Sequence, residues 1–376
     1  MAYSKHIKDL RILQIVPQLK QGGVERGTID VFRFLNKNKI KNYIFCENYD
    51  LDLLTAEEKK YIYTSNGLKF KNLFNFFKLN SLLSDLVTTK KINLVHISSR
   101  APAFIFYKNI KNKKINYVTS FHNPYAGILL KKFYNSYLLK GDAVICNSNF
   151  TKNYLFKNFR IEKKEIFSIP RGTDLKYFNP ENISQSIIDN KKKSLNISKD
   201  NIVLSVPSRF SRWKGHRQIL SFLSSQPSFI IKELKLILII DKSKINEGIF
   251  FKNCDPLLKE NIRIIQPTRN IREIFAISDI IISCSLKPEG FGRTISESLA
   301  MNKIPIGTNQ GGVREQLKQF DSKLLFDHND LSSFTKSLNH ALNLHRKKFF
   351  NGRDYVDQNY SLSKMLNSTL KVYSSL

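Results

Sequence analysis

Cysteine is scarce in this chain of 376 residues, and none of its four cysteines stands in a CxxC pair. That absence excludes a zinc ribbon and a dithiol redox motif, which both need closely spaced thiols. Cys146 and Cys284 each end an apolar run, so we expect both to be buried core thiols. Thiols without disulfide partners are typical of a reducing compartment.

Long apolar runs are also absent. No segment approaches the roughly 18 consecutive apolar residues that a membrane-spanning helix needs. Charges interrupt every apolar run of the N-terminal segment, which reads MAYSKHIKDLRILQIV, so we predict no signal peptide. We therefore expect a cytoplasmic protein that is attached to a membrane at most peripherally.

Acidic residues are few: Asp and Glu total 31 against 61 Lys and Arg, a formal net charge of +30. Such an excess fits a phosphate-rich partner, whether a nucleotide, a nucleic acid or an anionic membrane. The abundance of Lys, Asn, Ile, Phe and Tyr throughout the chain is equally what an AT-rich genome encodes. Both interpretations of the charge stay open.

Short apolar runs are present, and they alternate with longer segments of helical period. The runs in the first half are RILQIVP, NYIFC, INLVHIS, INYVTSF and DAVICNS, and those in the second half are IVLSVPS, LKLILII, IRIIQP, DIIISCS and KIPIGT. Runs that are apolar on both faces and separated by helices predict parallel α/β sheets. These strands are too many for one small sheet, so we predict two Rossmann-like, doubly wound parallel-sheet domains facing across a cleft.

The polar stretch 182–201 shows no strand pattern and lies near the middle of the chain. We place the domain boundary there, with one domain over 1–190 and a second over 191–360. Residues 361–376 are expected to form a helix that packs back toward the first domain.

Two loops that follow predicted strands carry residue types suited to phosphate. Gly22 and Gly23 follow the first strand and lead into an amphipathic helix, so backbone N–H groups can approach an anion there. They do not form the GxGxxG pattern of a dinucleotide-binding dehydrogenase. Arg209 and Lys214 follow the first strand of the second half, at the sheet edge where ligands bind.

The stretch EGFGRTISE, residues 289–297, places Glu289 and Glu297 on either side of a glycine turn. A helix from about residue 293 would direct its free N–H groups at a ligand and set Glu297 one turn in. Carboxylates beside a phosphate site suit a ligand with hydroxyls next to its phosphates. We therefore predict a nucleotide-sugar site, with Glu297 on the ribose and Glu289 on the transferred sugar. The predicted donor-binding residues of this loop are Glu289, Gly290, Phe291, Gly292, Arg293, Thr294 and Glu297.

Together these motifs resemble those of the retaining glycosyltransferases of GT-B fold in family 4, the group 1 type. The resemblance covers nearly the whole chain and is carried by GGVERG, SFHNPY, SRFSRWKG and PEGFGRTISESLAMNKIPIGTNQGGVRE. It implies that Gly22 and Gly23 lie by the donor phosphates and the acceptor, and that His122 lies near the transferred sugar. It also implies that Arg209 and Lys214 bind the diphosphate, and that the two domains bind the acceptor and the nucleotide sugar, respectively.

The resemblance implies transfer of a hexosyl group from a nucleotide sugar to a lipid-linked or saccharide acceptor, with retention of configuration. Lipopolysaccharide or cell-envelope glycan synthesis at the cytoplasmic face of the inner membrane is the implied setting. The implied chemistry is front-face attack, in which the leaving diphosphate helps take the acceptor proton and the protein supplies positioning and charge. The expected catalytic residues are His122, Arg209, Lys214 and Glu289.

No cofactor and no metal is expected. The DLD at 50–52 resembles the metal-binding DxD of the other glycosyltransferase fold, but it lies in the wrong fold. Ser208 stands where the family often has Gly, and residues 241–243 replace a Gly-rich turn, which leaves the nucleobase open. His96 continues a strand, which favours a structural histidine near the cleft. We expect the C-terminal histidines, His328, His340 and His345, to lie solvated on helices.

The stretch at Gly172, Asp174 and Phe178 matches a family pattern, and Arg171 stands beside it; a hinge turn explains these residues equally well. Two other functions stay as alternatives. A basic nucleic-acid-binding protein would need a module of aromatics interleaved with basic residues, and none is visible. A non-catalytic nucleotide-sugar binder is at odds with the intact cleft motifs.

Two segments, 68–83 and 127–140, mix Phe, Tyr and Leu with Lys at near-helical spacing. A basic amphipathic helix can lie in the interface of an anionic membrane. Helices that cover the sheet and leave their lysines in water are an equal alternative. The predicted apolar face of the first segment comprises Phe70, Leu73, Phe74, Phe77 and Leu79, flanked by Lys69, Lys71 and Lys78.

Overall fold

The structure, a computed structural model, describes residues 7–20, 22–69, 75–124, 129–159, 161, 165–268, 270–348 and 350–376, and for 129–131 it describes the backbone alone. The chain divides into two compact units. The first comprises Met1–Gly172 and Ser363–Leu376, and the second comprises Thr173–Leu362.

A parallel sheet forms the centre of the first unit, with strand order β3-β2-β1-β4-β5-β6-β7. Its strands are β1 Arg11–Ile15, β2 Lys41–Cys46, β3 Ile62–Thr64, β4 Leu94–Ile97, β5 Asn116–Phe121, β6 Ala143–Cys146 and β7 Glu165–Ser168. From β1 the next strands in the chain are added on one side of the sheet, and from β4 onward they are added on the other side. The two strands β1 and β4 are neighbours at this switch point, and Gln14 pairs in register with His96 there. Open α/β sheets bind ligands at such a switch point.

Helices connect the strands of the first unit and cover the sheet. They are α1 Gly23–Lys37, α2 Ala56–Lys59, α3 Asn75–Lys90, α4 Arg100–Asn112, α5 Leu129–Ser136 and α6 Asn149–Asn158. The helix α1 is amphipathic and buries Ile29, Phe32 and Leu35. Burial of such an apolar stripe stabilises each helix more than its intrinsic propensity does.

A second parallel sheet forms the centre of the second unit, with strand order β10-β9-β8-β11-β12-β13. Its strands are β8 Ile202–Val206, β9 Leu234–Ile239, β10 Ile262–Ile265, β11 Ile280–Ser283, β12 Ile304–Thr308 and β13 Leu325–Phe326. The helices from here to the C-terminus are α7 Gln185–Ser194, α8 His216–Ser224, α9 Ser228–Glu233, α10 Glu247–Phe250, α11 Pro256–Glu260, α12 Ile271–Ile277, α13 Arg293–Ala300, α14 Gly311–Phe320, α15 Leu331–Arg346, α16 Arg353–Tyr360 and α17 Leu362–Ser374. From Ser363 onward, α17 belongs to the first unit.

The two doubly wound parallel sheets confirm the predicted fold class, and each of the ten predicted strands is present. Three strands are not predicted from the sequence: β3, β7 and β13, of three, four and two residues. All three lie at sheet edges. A strand at a sheet edge needs few apolar residues, because it has a neighbouring strand on one side only. In two to four residues the alternation of apolar and polar side chains is also too short to be recognised in the sequence.

The N-terminal segment of the first unit ends at Gly172, before the polar stretch where the sequence places the boundary. Residues that follow Gly172 already pack within the second unit. Thr173 donates its hydroxyl to Ser296 Oγ at 2.8 Å, and the buried Phe178 ring lies 5.8 Å from that of Phe275. The polar stretch itself contains α7, whose lysine-rich surface hides its helical period in the sequence.

The single apolar face predicted over 68–83 is wrong, because Phe77 and Leu79 lie on different sides of α3. The helix buries Leu79, Leu83 and Val87 at a spacing of four, whereas Phe77 is 83% exposed. Phe70, Lys71, Leu73 and Phe74 lie outside the described residues. On α5, Phe133 is 60% exposed. Among the described residues no helix combines the length and apolar character needed to cross a membrane.

Candidate active site

The loop that follows β8 packs closely against the loop that follows β11 and forms hydrogen bonds with it. Gly215 has φ 69°, and a Cβ there would lie 1.9 Å from the Cys284 carbonyl oxygen, so the loop approaches closely only because this residue is glycine. The Leu286 amide donates to the Trp213 carbonyl at 2.7 Å, and the Cys284 thiol donates to the Lys214 carbonyl at 3.0 Å. These contacts fix the backbone of Lys214 at the carboxyl edge of the sheet.

The side chains of Lys214 and Glu289 form an ion pair at this edge. Lys214 Nζ lies 2.8 Å from Glu289 Oε1, and the two side chains are 18% and 17% exposed. Ser285 donates its hydroxyl to the same carboxylate oxygen. The Lys214 ammonium also lies 4.4 Å from the centre of the Trp213 ring. The site therefore contains one cation and one anion, both partly buried. They lie on two different loops and are separated by 75 positions in the sequence.

The backbone around Glu289 is held by the loop after β12. The Gly312 amide donates to the Glu289 carbonyl at 2.8 Å, and Gln310 Nε2 donates to the Ser285 carbonyl at 2.6 Å. Gly311 adopts φ 61°, and a Cβ there would come within 2.5 Å of the Glu289 carbonyl oxygen. Neither Ser285 nor Gln310 is predicted from the sequence. The signal for both is their place just after β11 and β12, at the ligand-binding edge.

The helix predicted from about residue 293 is confirmed as α13, Arg293–Ala300. Gly292 precedes it with φ 82°, a left-handed conformation that favours glycine. The first N–H groups of α13 lack partners within the helix and can bind an anion. Arg293 Nε donates to Glu297 Oε1 at 3.2 Å, one turn along the helix. The helix start thus combines free N–H groups with a second pair of opposite charges.

The other predicted donor-binding residues of the second unit do not take part in these ion pairs. The Arg209 side chain is exposed and has no hydrogen-bond or ion-pair partner among the described residues. Phe291 is buried in the core, with its ring 5.5 Å from that of Tyr360, so it offers a ligand its backbone alone. Gly290 is buried and Thr294 is half-buried at the helix start.

In the first unit, the predicted glycine turn leads directly into a helix. Gly22 is the residue before α1, and Gly23 is its first residue. The neighbouring Gln21 lies outside the described residues. The N–H groups at the start of α1 lie at the carboxyl end of β1, where an anion would gain from them.

His122 lies directly after β5 and is 5% exposed. Asn147 Nδ2 donates to its carbonyl at 2.8 Å. Arg171 Nη2 lies 3.1 Å from its Nδ1 and 3.4 Å from its Nε2. Burial, with smaller effects of Arg171 and His96, holds the pKa of His122 well below its usual value. The imidazole is therefore neutral at physiological pH.

His96 has the structural role predicted for it. It lies on β4, with Nδ1 2.5 Å from the Tyr373 hydroxyl of α17 and Nε2 2.7 Å from Ser120 Oγ. Burial lowers the pKa of His96 to about 3, with a smaller effect of Arg171. The neutral ring joins α17 to the sheet of the first unit.

A small cavity of about 30 Å³ lies at the switch point of the first sheet. Its polar lining includes Gln14, Thr28, His96, His122 and Arg171, and the described residues that line it include no carboxylate. The Gln14 Nε2 atom is buried and has no hydrogen-bond partner in the part of the chain that the structure describes. A volume of about 30 Å³ holds roughly one or two water molecules, and such waters would satisfy a donor like this one.

The remaining histidines differ from the sequence expectation. His340 lies on α15, with Nε2 2.7 Å from Asp321 Oδ2, and His345 Nδ1 lies 3.8 Å from Asp279 Oδ1. His328 lies in a turn that follows β13, and it is half-buried. His340 and His345 therefore lie on a helix as predicted, but each is half-buried beside a carboxylate, and His328 does not lie on a helix.

Two other stretches serve local structure. Asp174 Oδ1 accepts from the amides of Lys176 and Tyr177, which makes the predicted hinge stretch a capped turn. Asp241, in the replaced Gly-rich turn, accepts from the Ser243 amide and hydroxyl at 3.1 and 2.7 Å. Across the described part of the chain no three His, Cys, Asp or Glu side chains come close enough to hold a metal ion.

Comparisons with known proteins match almost the whole chain. The family model of Glycosyltransferase Family 4 matches residues 21–177, and that of Glycosyl transferases group 1 matches residues 187–352. A crystal structure of a glycosyltransferase from Rickettsia africae ESF-5 is 30% identical and superposes with a TM-score of 0.84. The match covers 97% of this chain and 98% of that chain.

More distant relatives share the fold. The structure of Anabaena HepE in complex with UDP is 18% identical, with a TM-score of 0.79, over 98% of this chain and 100% of that chain. The putative glycosyltransferase EpsF of Bacillus subtilis is 22% identical over 222 residues. That match covers 56% of each chain, so this chain spans little more than half the length of EpsF.

Proposed function

Since the chain belongs to the group 1 glycosyltransferases of GT-B fold, we propose that it transfers a sugar from a nucleotide-sugar donor to an acceptor hydroxyl, with retention of configuration. The observation that carries the proposal is the Lys214–Glu289 ion pair beside the start of α13 in the second unit. One ammonium, one carboxylate and a row of backbone N–H groups suit a ligand with both phosphates and hydroxyls.

In this proposal the second unit binds the donor. Lys214, Arg209 and the N–H groups at the start of α13 bind the diphosphate, because cations and helix N-termini both favour anions. Glu289 accepts hydrogen bonds from the transferred sugar, and Glu297 accepts them from the ribose. The UDP complex of HepE, a protein of the same fold, supports a nucleoside diphosphate in this role.

The chemical step follows from these positions. The acceptor oxygen attacks the anomeric carbon on the face from which the diphosphate leaves, and the bond from that carbon to the diphosphate oxygen breaks. The leaving phosphate takes the acceptor proton. Lys214 and the α13 N–H groups stabilise the charge that builds up on the diphosphate, and pre-set donors of this kind are the largest contribution in many enzymes. His122, neutral and buried in the first unit, is assigned to the sugar being transferred.

We further propose a hexosyl donor and an acceptor that is lipid-linked or a saccharide, in the synthesis of lipopolysaccharide or another cell-envelope glycan. The exposed aromatic rings of Phe77 and Phe133, each next to an exposed lysine, support a lipid surface as the place of the acceptor. Peripheral attachment at the cytoplasmic face of the membrane follows from that acceptor.

A thermal-shift panel of UDP-, GDP- and ADP-sugars tests the donor. A ligand at 100 times its dissociation constant stabilises the folded protein by about 2.7 kcal/mol. We expect one nucleotide series to raise the melting temperature, and the matching free diphosphate to raise it as well. The anomeric configuration of the product, read by NMR from its coupling constant, then tests retention. A chain that no nucleotide sugar stabilises, or a product of inverted configuration, contradicts the proposal.

A further inference from the structure

The third glycine of the GGVERG motif, Gly27, is unexplained by a phosphate site. It lies inside α1, where glycine is about 1 kcal/mol less favourable than alanine. Its φ is not in the left-handed region, so the backbone does not require glycine there. A Cβ at this position would lie 2.3 Å from Nη1 of Arg171 and 3.0 Å from its Cζ. The guanidinium therefore takes the space that a side chain at 27 would need.

Arg171 is itself held at the carboxyl edge of the first sheet. The Ile169 amide donates to the Cys146 carbonyl at 2.8 Å, which extends the pairing of β7 beyond its last residue. On the other side, the Gly172 amide points at the Met365 sulfur at 3.1 Å. These two contacts fix the backbone on either side of Arg171, so its guanidinium reaches past Gly27 to His122.

A guanidinium has hydrogen-bond donors and no acceptor. Arg171 Nη2 lies 3.1 Å from Nδ1 and 3.4 Å from Nε2, so it can donate only to whichever of the two ring nitrogens carries a lone pair. A neutral imidazole has one such nitrogen, and an imidazolium has none. The contact is therefore favourable for neutral His122, whichever nitrogen accepts, and repulsive for its charged form.

The groups that face His122 agree with this selection. Arg171 faces it from the segment after β7, and His96 from β4, with Tyr373 of α17 behind His96. The residues that α1 and α17 bring to the cavity, Gly27, Thr28, Val31, Met365 and Thr369, carry no charge. Among the described residues that line the cavity there is no carboxylate to favour an imidazolium. The pKa of His122 is lowered by burial first and by Arg171 second.

We propose that Arg171 is a positioning residue, which holds His122 as a neutral imidazole in one orientation, and that Gly27 makes the space for it. The inference deepens the proposed glycosyl transfer and rests on it only for the activity readout. In that reaction a neutral His122 held in one orientation keeps its ring in place beside the sugar, and a misplaced ring would lower the rate.

The first test measures His122 in the free protein. In protein labelled with ¹³C-histidine, the His122 ring signal is assigned by its loss in His122→Asn, and its titration is compared in wild type, Arg171→Met and Arg171→Lys. We expect the titration midpoint to rise in Arg171→Met and to return toward the wild-type value in Arg171→Lys. The internal control is His216 of the second unit, where burial lowers the pKa to about 4, and its midpoint should not move. Identical His122 titrations in wild type and Arg171→Met overturn the proposal.

The second test uses Gly27. The atom that a new Cβ would meet is the end of a flexible side chain, so Gly27→Ala should fold with Arg171 displaced. We expect Gly27→Ala to raise the His122 midpoint and to lower kcat/KM by roughly 10²-fold, because small misplacements near the reacting atoms cost about that much. In the Arg171→Met background, Gly27→Ala should change neither quantity and should raise the melting temperature, since alanine favours the helix.

The two backgrounds make the outcomes separable. If Gly27→Ala is as harmful in Arg171→Met as in wild type, the glycine serves something other than Arg171 and the proposal is overturned. If wild type transfers no sugar from any nucleotide donor, the proposed function fails, and the titrations of free His122 still decide the positioning role.

Discussion

In the second unit Lys214 and Arg293 each contact a carboxylate, whereas in the first unit Arg171 contacts an imidazole and lines a cavity whose described residues include no carboxylate. Both clusters lie at the carboxyl ends of parallel strands. In the second, removal of Lys214 or Arg293 takes from a half-buried carboxylate its ion-pair partner. In the first, the cation selects the neutral form of its neighbour. The carboxyl edge of a parallel sheet thus sets a cation beside an anion in the second unit and beside a neutral ring in the first.

The largest effect that would sharpen this comparison is on catalysis through Lys214. We expect Lys214→Ala to lower kcat/KM by roughly 10²–10³-fold, since loss of one preorganised group that stabilises developing charge costs about 2.7–4 kcal/mol. Arg209→Ala should act in the same direction. Steady-state kinetics with the identified donor is the measurement, and Arg212→Ala, an exposed neighbour on the same loop, is the control. Near-normal turnover in both variants would remove the diphosphate assignment.

A second prediction contrasts two glycines at which an added Cβ would meet different atoms. At Gly215, where φ is 69°, the Cβ would overlap the carbonyl oxygen of Cys284, whereas at Gly27 it would meet the end of a flexible side chain. The left-handed conformation alone costs alanine about 1–2 kcal/mol, and the backbone overlap adds to it. We expect Gly215→Ala to lower the denaturation midpoint clearly. Gly248→Ala, whose new Cβ would have no neighbour nearer than 3.4 Å, is the control. Equal stability of Gly215→Ala and Gly248→Ala would show that the loops after β8 and β11 do not pack as closely as described.

These residues also show what the sequence could and could not predict. Glu289 and Glu297 lie in one continuous stretch, so a glycine turn and helical spacing suffice to place them. The Lys214–Glu289 contact joins residues 75 positions apart, and Arg171 reaches His122 across 49. Contacts of that span depend on strand order and register, which local periodicity does not contain. The orientation of Phe291 toward the core is likewise set by packing against Tyr360 rather than by its motif.

A third prediction separates the two acids of the second unit. Glu297→Ala should weaken binding of the free nucleoside diphosphate by about 1.5–3 kcal/mol, the contribution of a hydrogen bond to a charged group, because its proposed partner is the ribose. Glu289→Ala should spare that binding or tighten it, since Lys214 then loses its carboxylate partner. It should still damage sugar transfer. Calorimetry with the diphosphate alone decides between them, and the opposite pattern would exchange the two roles.

The smallest expected effect concerns the outer surface of the first unit, where exposed lysines on α3, α4 and α5 outnumber the one exposed carboxylate of these helices in the described residues, Asp85. The helices α3 and α4 are joined by hydrogen bonds from Asn80 Nδ2 to the Ile105 carbonyl at 3.3 Å and from Asn109 Nδ2 to the Asn80 carbonyl at 2.9 Å. The helix α5 follows beside α4, with the rings of Phe104 and Tyr134 5.8 Å apart. The three helices therefore form one surface, which carries two exposed Phe rings and the exposed lysines Lys78, Lys108 and Lys132.

On this surface each lysine near an anionic membrane adds about 1 kcal/mol of attraction, and salt screens it. We expect wild type to co-sediment with anionic vesicles at low ionic strength and to be released at high ionic strength. A variant with Lys78, Lys108 and Lys132 as Gln, and one with Phe77 and Phe133 as Ser, should each bind more weakly.

Control variants come from the second unit. The control for charge replaces three exposed lysines, Lys252, Lys323 and Lys336, by Gln, and the control for exposed aromatic area is Phe229→Ser. Equal loss in the test and control variants would make the attraction a property of the total charge of +30 rather than of this surface. Wild type that stays in the supernatant at low salt would instead favour a soluble acceptor.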